Sequence, residues 1–260
     1  MPFNWCIEAI KWKALISKIE NISLSTSLRA ICAGITLAMF TPNRVGEFGG
    51  RVLLLKIANK IEGIAITLVG SFSQITASFF IGLLGWIYFY QYFLPNPSKT
   101  TLVLTILCCF LSISLFILYY RLNWLKTIVH KMPLSEKTKS YFNPIVQYNI
   151  IELSTFLGLS ALRFIIFSLQ YCFFFWACGV EVGLASAMML VFSIFFVQTI
   201  IPSIAIVELG IRGKVALYFM EFVKANALAV LTAAFSLWAI NLLLPAFIGL
   251  IVLIRKKDLI

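Results

Sequence analysis

The sequence predicts an all-α protein that crosses a membrane several times and is built as an inverted repeat. The 260 residues are 61% hydrophobic and only 12% charged, whereas soluble domains are close to half apolar and a quarter charged. Several apolar runs reach the length of about 20 residues that a membrane-spanning helix needs. Two further runs are interrupted by a proline and then by charged residues, a pattern that marks the substrate site of many secondary transporters.

The first element is a predicted helix over Asn4–Ile19, in which tryptophan and isoleucine are interleaved with lysine and glutamate. This mixture is typical of an amphipathic helix that lies in the membrane interface. We therefore expect residues 1–27 to form an interfacial segment ahead of the first apolar run.

The first apolar run, Leu28–Phe40, has 13 residues and is too short to cross a bilayer. It ends before Pro42, and apolar residues resume at Val52. We interpret Leu28–Ile57 as a re-entrant helical hairpin whose tip lies at Pro42–Gly46.

Longer runs predict about four full transmembrane helices: Ile61–Tyr90, Leu102–Tyr120, Thr155–Cys178 and Asn226–Ile254. The segment 121–150 is the most basic loop, and the chain ends near Arg255-Lys256-Lys257. Basic loops remain on the cytoplasmic side, so we place this loop and the carboxyl terminus in the cytoplasm, with the protein integral to the plasma membrane. The net charge of +11 is thus explained by loop charges, and no nucleic-acid partner is expected.

A second predicted hairpin, Leu184–Phe222, is broken at Pro202. Three spans separate the two hairpins, and because three is odd the hairpins enter the membrane from opposite sides. This arrangement predicts two half-repeats within one membrane domain, residues 28–100 and 101–260. Two spans precede the second hairpin within its half and only one helix precedes the first, so we expect the first half to be incomplete at its amino end.

The two hairpins share the pattern Glu-x-Gly-x-Arg, with its glutamates 161 residues apart at Glu47 and Glu208. A carboxylate and a guanidinium four residues apart lie on one helix face and can pair, while the glycine between them permits close approach by a backbone or a head group. The residues expected to shape the tips are Pro42, Gly46, Gly49, Pro202 and Gly210.

These charges have two interpretations. They either lock the hairpins or line a substrate path, and their repetition in both halves favours the path. Arg163, within the third span, either pairs with Glu208 or extends to the interface, and Arg44 either binds a phosphate or anchors to interfacial phospholipid. The candidate substrate-path residues are Arg44, Glu47, Arg51, Arg163, Glu208 and Arg212.

A chemical active site has little support in the sequence. The six cysteines have no metal-ligand spacing, one histidine is present, and no aspartate-rich motif is found. We therefore assign no catalytic residue, no metal site and no cofactor, and expect the protein not to be an enzyme.

The two proline-interrupted signatures, residues 41–51 and 201–213, together with the Asn4-Trp5-x-x-Glu8 start, resemble the flippase-like transmembrane domain of the lysylphosphatidylglycerol synthase family. The resemblance covers essentially the whole chain and implies the lipid-translocating part, without the soluble aminoacyl-transfer domain of the bifunctional members. Full members of that family carry additional amino-terminal spans.

Three functions follow as hypotheses. The first is translocation of a phospholipid or lipid-linked substrate, whose binding partners would be membrane lipids, namely anionic phospholipid or lipid-linked phosphate. The second is a non-transporting membrane scaffold for an envelope enzyme that modifies lipid or glycan, and the third is an intramembrane transferase with a lipid-linked donor. A homo-oligomer or a complex with an envelope enzyme is compatible with the first two.

Overall fold

The computed structural model describes residues 2–94, 98–133, 135–201 and 205–257, and all regular secondary structure in these ranges is helical. The expected all-α class is therefore confirmed. The α-helices of the described residues are α1 (Pro2–Ile16), α2 (Leu24–Ala38), α3 (Gly46–Val52), α4 (Lys60–Phe93), α5 (Lys99–Tyr120), α6 (Asn123–Lys131), α7 (Glu136–Ser140), α8 (Ile150–Ala177), α9 (Leu184–Ile200), α10 (Ala205–Glu221), α11 (Ala227–Trp238) and α12 (Leu244–Lys257).

Four helices of the described chain are long and apolar enough to cross a membrane, as the sequence predicts. They are Lys60–Phe93, Lys99–Tyr120, Ile150–Ala177 and Ala227–Arg255, with 34, 22, 28 and 29 residues. The last combines α11 and α12 through a π-helical turn, Ala239–Leu243. The chain is thus a membrane protein built around four spanning helices.

The π turn in the last span has a cause in the sequence. Pro245 lies four residues after Asn241 and has no N–H with which to donate a hydrogen bond to the Asn241 carbonyl. A local change of helical pitch relieves this defect, and π turns of this kind often lie at functional sites. Asn241 donates from its side chain to the Leu237 carbonyl at 3.0 Å, and its Oδ1 accepts from Asn4 at 3.3 Å.

The first interrupted run consists of α2, a 3-10 turn over Pro42–Arg44, and α3. Gly46 permits this compact tip, because a Cβ atom there would lie 2.4 Å from the Leu37 carbonyl oxygen. The second interrupted run consists of α9 and α10; Pro202, its expected breaking residue, lies outside the described residues.

The sequence predicts that a backbone or a head group approaches the glycine of each Glu-x-Gly-x-Arg motif. No other part of the described chain makes this approach. A Cβ atom at Gly49 or Gly210 would meet none of its atoms within 4 Å. The tight contact lies instead at Gly50, where a Cβ would be 2.6 Å from the backbone of Ala33 and Gly34. This contact holds α2 against α3, and the space beside the two motif glycines is open.

The amino-terminal helix differs from the expected interfacial arrangement. An amphipathic helix at an interface directs its charges outward, but Glu8 and Lys11 of α1 are only 4% and 1% exposed. Trp12 is fully buried and donates from Nε1 to Thr67 Oγ1 at 3.1 Å. The face of α1 that carries Asn4, Glu8 and Lys11 therefore lies inside the helix bundle, while Lys13 is exposed. The helix packs on α2, α4 and α8.

The two interrupted runs pack reciprocally. Helix α9 of the second run packs on α4, which follows the first run, and α2 of the first run packs on α12, which follows the second. In α4, Gly82 and Gly85 allow Phe192 of α9 to approach, since Cβ atoms there would lie 3.3 Å or less from its atoms. In α12, a Cβ at Gly249 would lie 2.1 Å from the carbonyl oxygen of Cys32 in α2. Helix contact through glycine is common in membranes because it brings two backbones together.

Glu20, between α1 and α2, fixes the exit from the first interrupted run. Its carboxylate accepts hydrogen bonds from the backbone N–H groups of Lys56, Ile57 and Ala58 at 2.9–3.2 Å. Burial raises the pKa of Glu20, but the backbone hydrogen bonds and the charge of Lys56 outweigh this effect and hold the pKa below its usual value. The carboxylate thereby sets the chain path ahead of α4.

Candidate functional site

A buried carboxylate on α1, that of Glu8, pairs with three cations, one of which belongs to the first interrupted run. Glu8 Oε1 lies 2.8 Å from Arg51 Nη1, and Glu8 Oε2 lies 3.0 Å from Lys11 Nζ and 3.1 Å from Arg163 Nη1. A charge at membrane depth is costly unless it is paired. Glu8 is therefore the charge partner of three cations at once, one each from α1, α3 and α8.

Arg163 has a different partner from the one that the sequence suggests. Glu208 pairs with Arg212 in the described chain, and Arg163 pairs with Glu8. The Arg163 guanidinium also donates from Nε to Asn4 Oδ1 at 2.8 Å and from Nη1 to Gln74 Oε1 at 3.2 Å. Pairing with Glu208 and extension to the interface are both wrong, because the side chain turns into the bundle.

The Glu-x-Gly-x-Arg motifs form the ion pairs that their spacing predicts. Arg51 donates from Nη2 to Glu47 Oε1, and Arg212 donates from both Nε and Nη2 to Glu208 Oε1, the Nε contact being 2.8 Å. Arg51 is only 5% exposed because it lies between Glu47 and Glu8. Its guanidinium is therefore fixed more firmly than that of Arg212.

Lys11 extends the polar cluster between α4 and α8. Its Nζ donates to Ser160 Oγ at 3.1 Å and to the Gly70 carbonyl at 3.4 Å, and Ser160 Oγ lies 2.9 Å from Ser73 Oγ. Each partner satisfies a polar group that would otherwise lie unpaired in apolar surroundings. The cluster thus joins α1, α4 and α8 through hydrogen bonds.

A cavity of about 600 Å³ opens beside this cluster, within the usual range for ligand sites. Its lining combines polar and charged side chains with apolar ones. The polar members are Asn4, Arg44, Gln74, Ser78, Arg163, Gln198, Thr199, Glu208 and Arg212, and the apolar members are Ile75, Phe164, Phe167, Phe195, Ile200 and Ile201.

A smaller cavity of about 60 Å³ adjoins the larger one, and the two share lining residues from α1, α8, α10 and the first tip: Asn4, Arg44, Arg163, Phe167 and Arg212. Glu47 and Arg51 line only the smaller cavity. The structure therefore brings all six predicted path residues to one place, with four of them on the wall of the larger cavity.

Buried polar atoms without a hydrogen-bond partner are concentrated at these two cavities. Native proteins leave few such atoms, yet seven of them in the described residues belong to cavity-lining side chains. They are both amide atoms of Gln198, Glu208 Oε2, Arg44 Nε, Arg51 Nε, and Nε1 of Trp5 and Trp238. Donors and acceptors without partners in side chains that line a cavity suit a polar ligand.

Arg44 combines backbone strain with an incompletely paired side chain. Its φ of 59° lies in the left-handed region, which costs a non-glycine residue about 1 kcal/mol or more and is found at ligand-binding segments. Its Nε is 3.6 Å from Glu47 Oε2 and makes no hydrogen bond. The 3-10 turn thus directs an available guanidinium into the cavity.

The site carries more positive than negative charge. Five cations, Lys11, Arg44, Arg51, Arg163 and Arg212, face three carboxylates, Glu8, Glu47 and Glu208. The described side chains therefore leave an excess of two positive charges. This excess suits an anion. No group of three or more His, Cys, Asp or Glu side chains in the described chain is placed to hold a metal ion.

Several residues of the site are not identified by the sequence patterns that reveal the motifs. Glu8 and Asn4 look like the polar face of an interfacial helix, and Gln74 and Gln198 are single amides in apolar runs. Asn241 has the clearest signal, since it is a polar residue four positions before a proline within a spanning helix. An isolated polar residue in such a segment indicates an internal partner or a cavity.

Comparison with protein families finds one match, to the lysylphosphatidylglycerol synthase TM region, over residues 1–249. Comparisons with curated proteins and with solved structures find no match. The family match covers both interrupted runs, all four spanning helices up to Gly249 and every cavity-lining residue named above. The chain therefore belongs to the lysylphosphatidylglycerol synthase transmembrane-region family.

Proposed function

We propose that the protein translocates a phospholipid or a lipid-linked substrate across the cytoplasmic membrane and carries out no covalent chemistry itself. The observation that carries this proposal is the cavity whose lining combines three arginines with six large apolar side chains. A lipid has the same two-sided chemistry, because an anionic head group is joined to hydrocarbon chains. Membership in a family of lipid-synthase membrane regions supports a role with lipids.

The proposed architecture is an inverted repeat with two re-entrant hairpins, divided into the halves 28–100 and 101–260. This architecture is supported by a constant offset in sequence between corresponding parts of the two halves. The motif glutamates are 161 residues apart, and α1 (Pro2–Ile16) shifted by the same number falls on the final part of α8, residues 163–177. The reciprocal packing of α9 on α4 and of α2 on α12 is what such a repeat would produce.

The proposed orientation places the basic segment 121–150 and the carboxyl terminus in the cytoplasm. Arg121, His130, Lys131 and Lys139 in this segment support the assignment under the positive-inside rule. With three spanning helices between the interrupted runs, the two tips would then enter from opposite leaflets and meet at the cavity.

In the proposed mechanism, the head group moves through the polar part of the cavity while the hydrocarbon chains stay along the apolar side. Arg44, Arg163 and Arg212 bind phosphate oxygens through their planar donors. Glu208 orients Arg212, and Glu8 orients Arg163. Arg51 is a positioning residue, since two carboxylates hold it away from the larger cavity.

Reconstitution into liposomes tests this proposal. The transfer of head-labelled phospholipid between leaflets would be measured by quencher accessibility for the wild type, for Glu208→Gln and for Glu221→Gln. Glu221 is exposed at the end of the same helix and provides the matched control. We expect transfer by the wild type and the control, and its loss in Glu208→Gln.

Equal transfer by folded Glu208→Gln would contradict the proposed path. Absence of transfer by folded wild-type protein would contradict translocation, and isolation of the protein in a stable complex with an envelope enzyme would then establish the scaffold function instead. Size-exclusion profiles in detergent would confirm that each sample is folded.

A further inference from the structure

We infer that the cavity selects a lipid head group with two negative charges, as in a lipid phosphomonoester or a lipid diphosphate, over a zwitterionic or an aminoacylated phospholipid. This inference rests on the proposed lipid-binding function and names the substrate class of the same site. The observation behind it is the excess of two cations in a site enclosed by membrane helices.

The charge balance separates the lipid classes. Unpaired charge is costly at membrane depth, so the best ligand neutralises the site's excess of two. A phosphomonoester carries about −1.5 to −2 charges near neutral pH and does so. A phosphodiester supplies one negative charge, and an aminoacylated phosphodiester also brings an ammonium group, which leaves the excess undiminished or larger.

The unneutralised charge faces the larger cavity. Glu8 is already shared by Arg51, Lys11 and Arg163, so it is not available to a cationic ligand. The Arg163 and Arg212 side chains are 30% and 18% exposed. Together with Arg44, they line the larger cavity with donors from three separate helical segments. Arginine forks of this kind fit the several oxygens of one phosphate group.

The hydrogen-bonding groups opposite the arginines also fit a phosphomonoester. Glu208 Oε2 has no hydrogen-bond partner, and it can accept from a water molecule that hydrates the ionised phosphate. Gln198 offers one unpartnered donor and one unpartnered acceptor, which match a phosphate oxygen and a hydroxyl group. A single carboxylate that is already paired with Arg212 is a poor partner for an ammonium group.

Lipid binding to the full chain in detergent tests this inference independently of transport. The probes are short-chain phosphatidic acid, a prenyl diphosphate, phosphatidylglycerol, phosphatidylcholine and lysyl-phosphatidylglycerol, with inorganic phosphate as a competitor. We expect both dianionic lipids to bind at least about tenfold more tightly than phosphatidylglycerol, the increment of one charge-assisted hydrogen bond, and the remaining lipids to bind more weakly. Comparison of the affinities of phosphatidic acid and the prenyl diphosphate shows whether the site prefers a phosphomonoester or a diphosphate.

Two variants lower the charge excess by one unit each in different ways. Arg44→Asn removes a cation and keeps a residue that tolerates positive φ, whereas Gln198→Glu adds a carboxylate of nearly the same shape. In both variants the preference for dianionic lipid over phosphatidylglycerol should fall at least about tenfold. Lys214→Gln, at an exposed position of α10, should keep the wild-type preference. Thermal unfolding would verify that each variant is folded.

A wild type that binds phosphatidylglycerol or lysyl-phosphatidylglycerol as tightly as dianionic lipid would overturn the inference, even if transport is observed. An unchanged preference in both folded charge variants would overturn it as well. Competition by inorganic phosphate at the affinity of the lipids would also overturn it, because the site would then recognise phosphate alone. Selective binding of dianionic lipid without transport would support the inference and contradict the proposed translocation.

Discussion

Glu8 Oε2 lies 3.1 Å from Arg163 Nη1, and this contact joins the amino-terminal helix to the third spanning helix. The other oxygen of Glu8 binds Arg51 at the end of the first interrupted run. One buried carboxylate thus fixes the relative positions of three helices around the cavity. Through this residue the first Glu-x-Gly-x-Arg motif and Arg163 belong to one connected network.

Glu8→Gln should destabilise the fold strongly. The substitution leaves Arg51 and Arg163 without their shared carboxylate, and breaking a buried ion pair costs roughly 3–5 kcal/mol. Thermal unfolding in detergent, monitored by tryptophan fluorescence, would show a clear decrease in the midpoint. Glu181→Gln, at an exposed position, is the control, and a Glu8→Gln midpoint equal to that of this control would refute the central place of Glu8.

Glu20 should make stability depend on pH in the acid range. Because its folded-state pKa is lowered, its contribution is fully present above the unfolded value of about 4.3 and is lost as the pH falls through the folded-state pKa. Unfolding midpoints measured from pH 7 down to pH 3 should therefore decrease more for the wild type than for Glu20→Gln. Parallel curves for the two proteins would contradict this assignment.

Gly46→Ala should damage the first tip, whereas Gly49→Ala should not. The added Cβ would lie 2.4 Å from the Leu37 carbonyl oxygen at Gly46 but would meet no described atom within 4 Å at Gly49. Overpacking typically costs about 1–3 kcal/mol, and alanine is favoured over glycine in a helix. Unfolding midpoints of the two variants would be compared, and equal losses would show that packing at the tip is not the cause.

Asn241→Leu should weaken transport more than stability. The substitution keeps the side-chain size but removes the 3.3 Å contact with Asn4, which in turn accepts from Arg163. Loss of one neutral hydrogen bond costs about 1 kcal/mol, so the folded state should persist while Arg163 loses a fixed neighbour. Leaflet transfer and the unfolding midpoint would be measured together, and a transfer rate equal to wild type would exclude a role for the π turn in positioning Arg163.

The main elements of the fold were accessible from the sequence because membrane spans depend on local composition. The four spanning helices and the two i,i+4 ion pairs follow from run length and from helical spacing alone. The burial of α1 does not, since a helix with Trp12 beside Glu8 and Lys11 has the same pattern whether it lies on a membrane or inside a polar cluster. Only tertiary packing distinguishes the two.

The partner of Arg163 could not be derived for a related reason. Both Glu8 and Glu208 are buried carboxylates in the right region, and 155 residues separate Arg163 from the one that it binds. The charge excess of the site likewise depends on which side chains meet in space. The gathering of both motifs at one cavity required the three-dimensional arrangement, because the repetition of the motifs favours a substrate path but is also compatible with a structural lock.

A charge exchange within the second motif tests the central claim that the motif lines a lipid path. Glu208→Arg and Arg212→Glu would be made singly and together, and both the unfolding midpoint and leaflet transfer would be measured in liposomes. The account predicts that the double variant regains the stability lost in the single variants and still fails to transfer lipid, because the guanidinium is displaced by about 6 Å along the helix from the position that binds the head group. Recovery of both stability and transfer would contradict the account and show that the pair serves only to lock the fold.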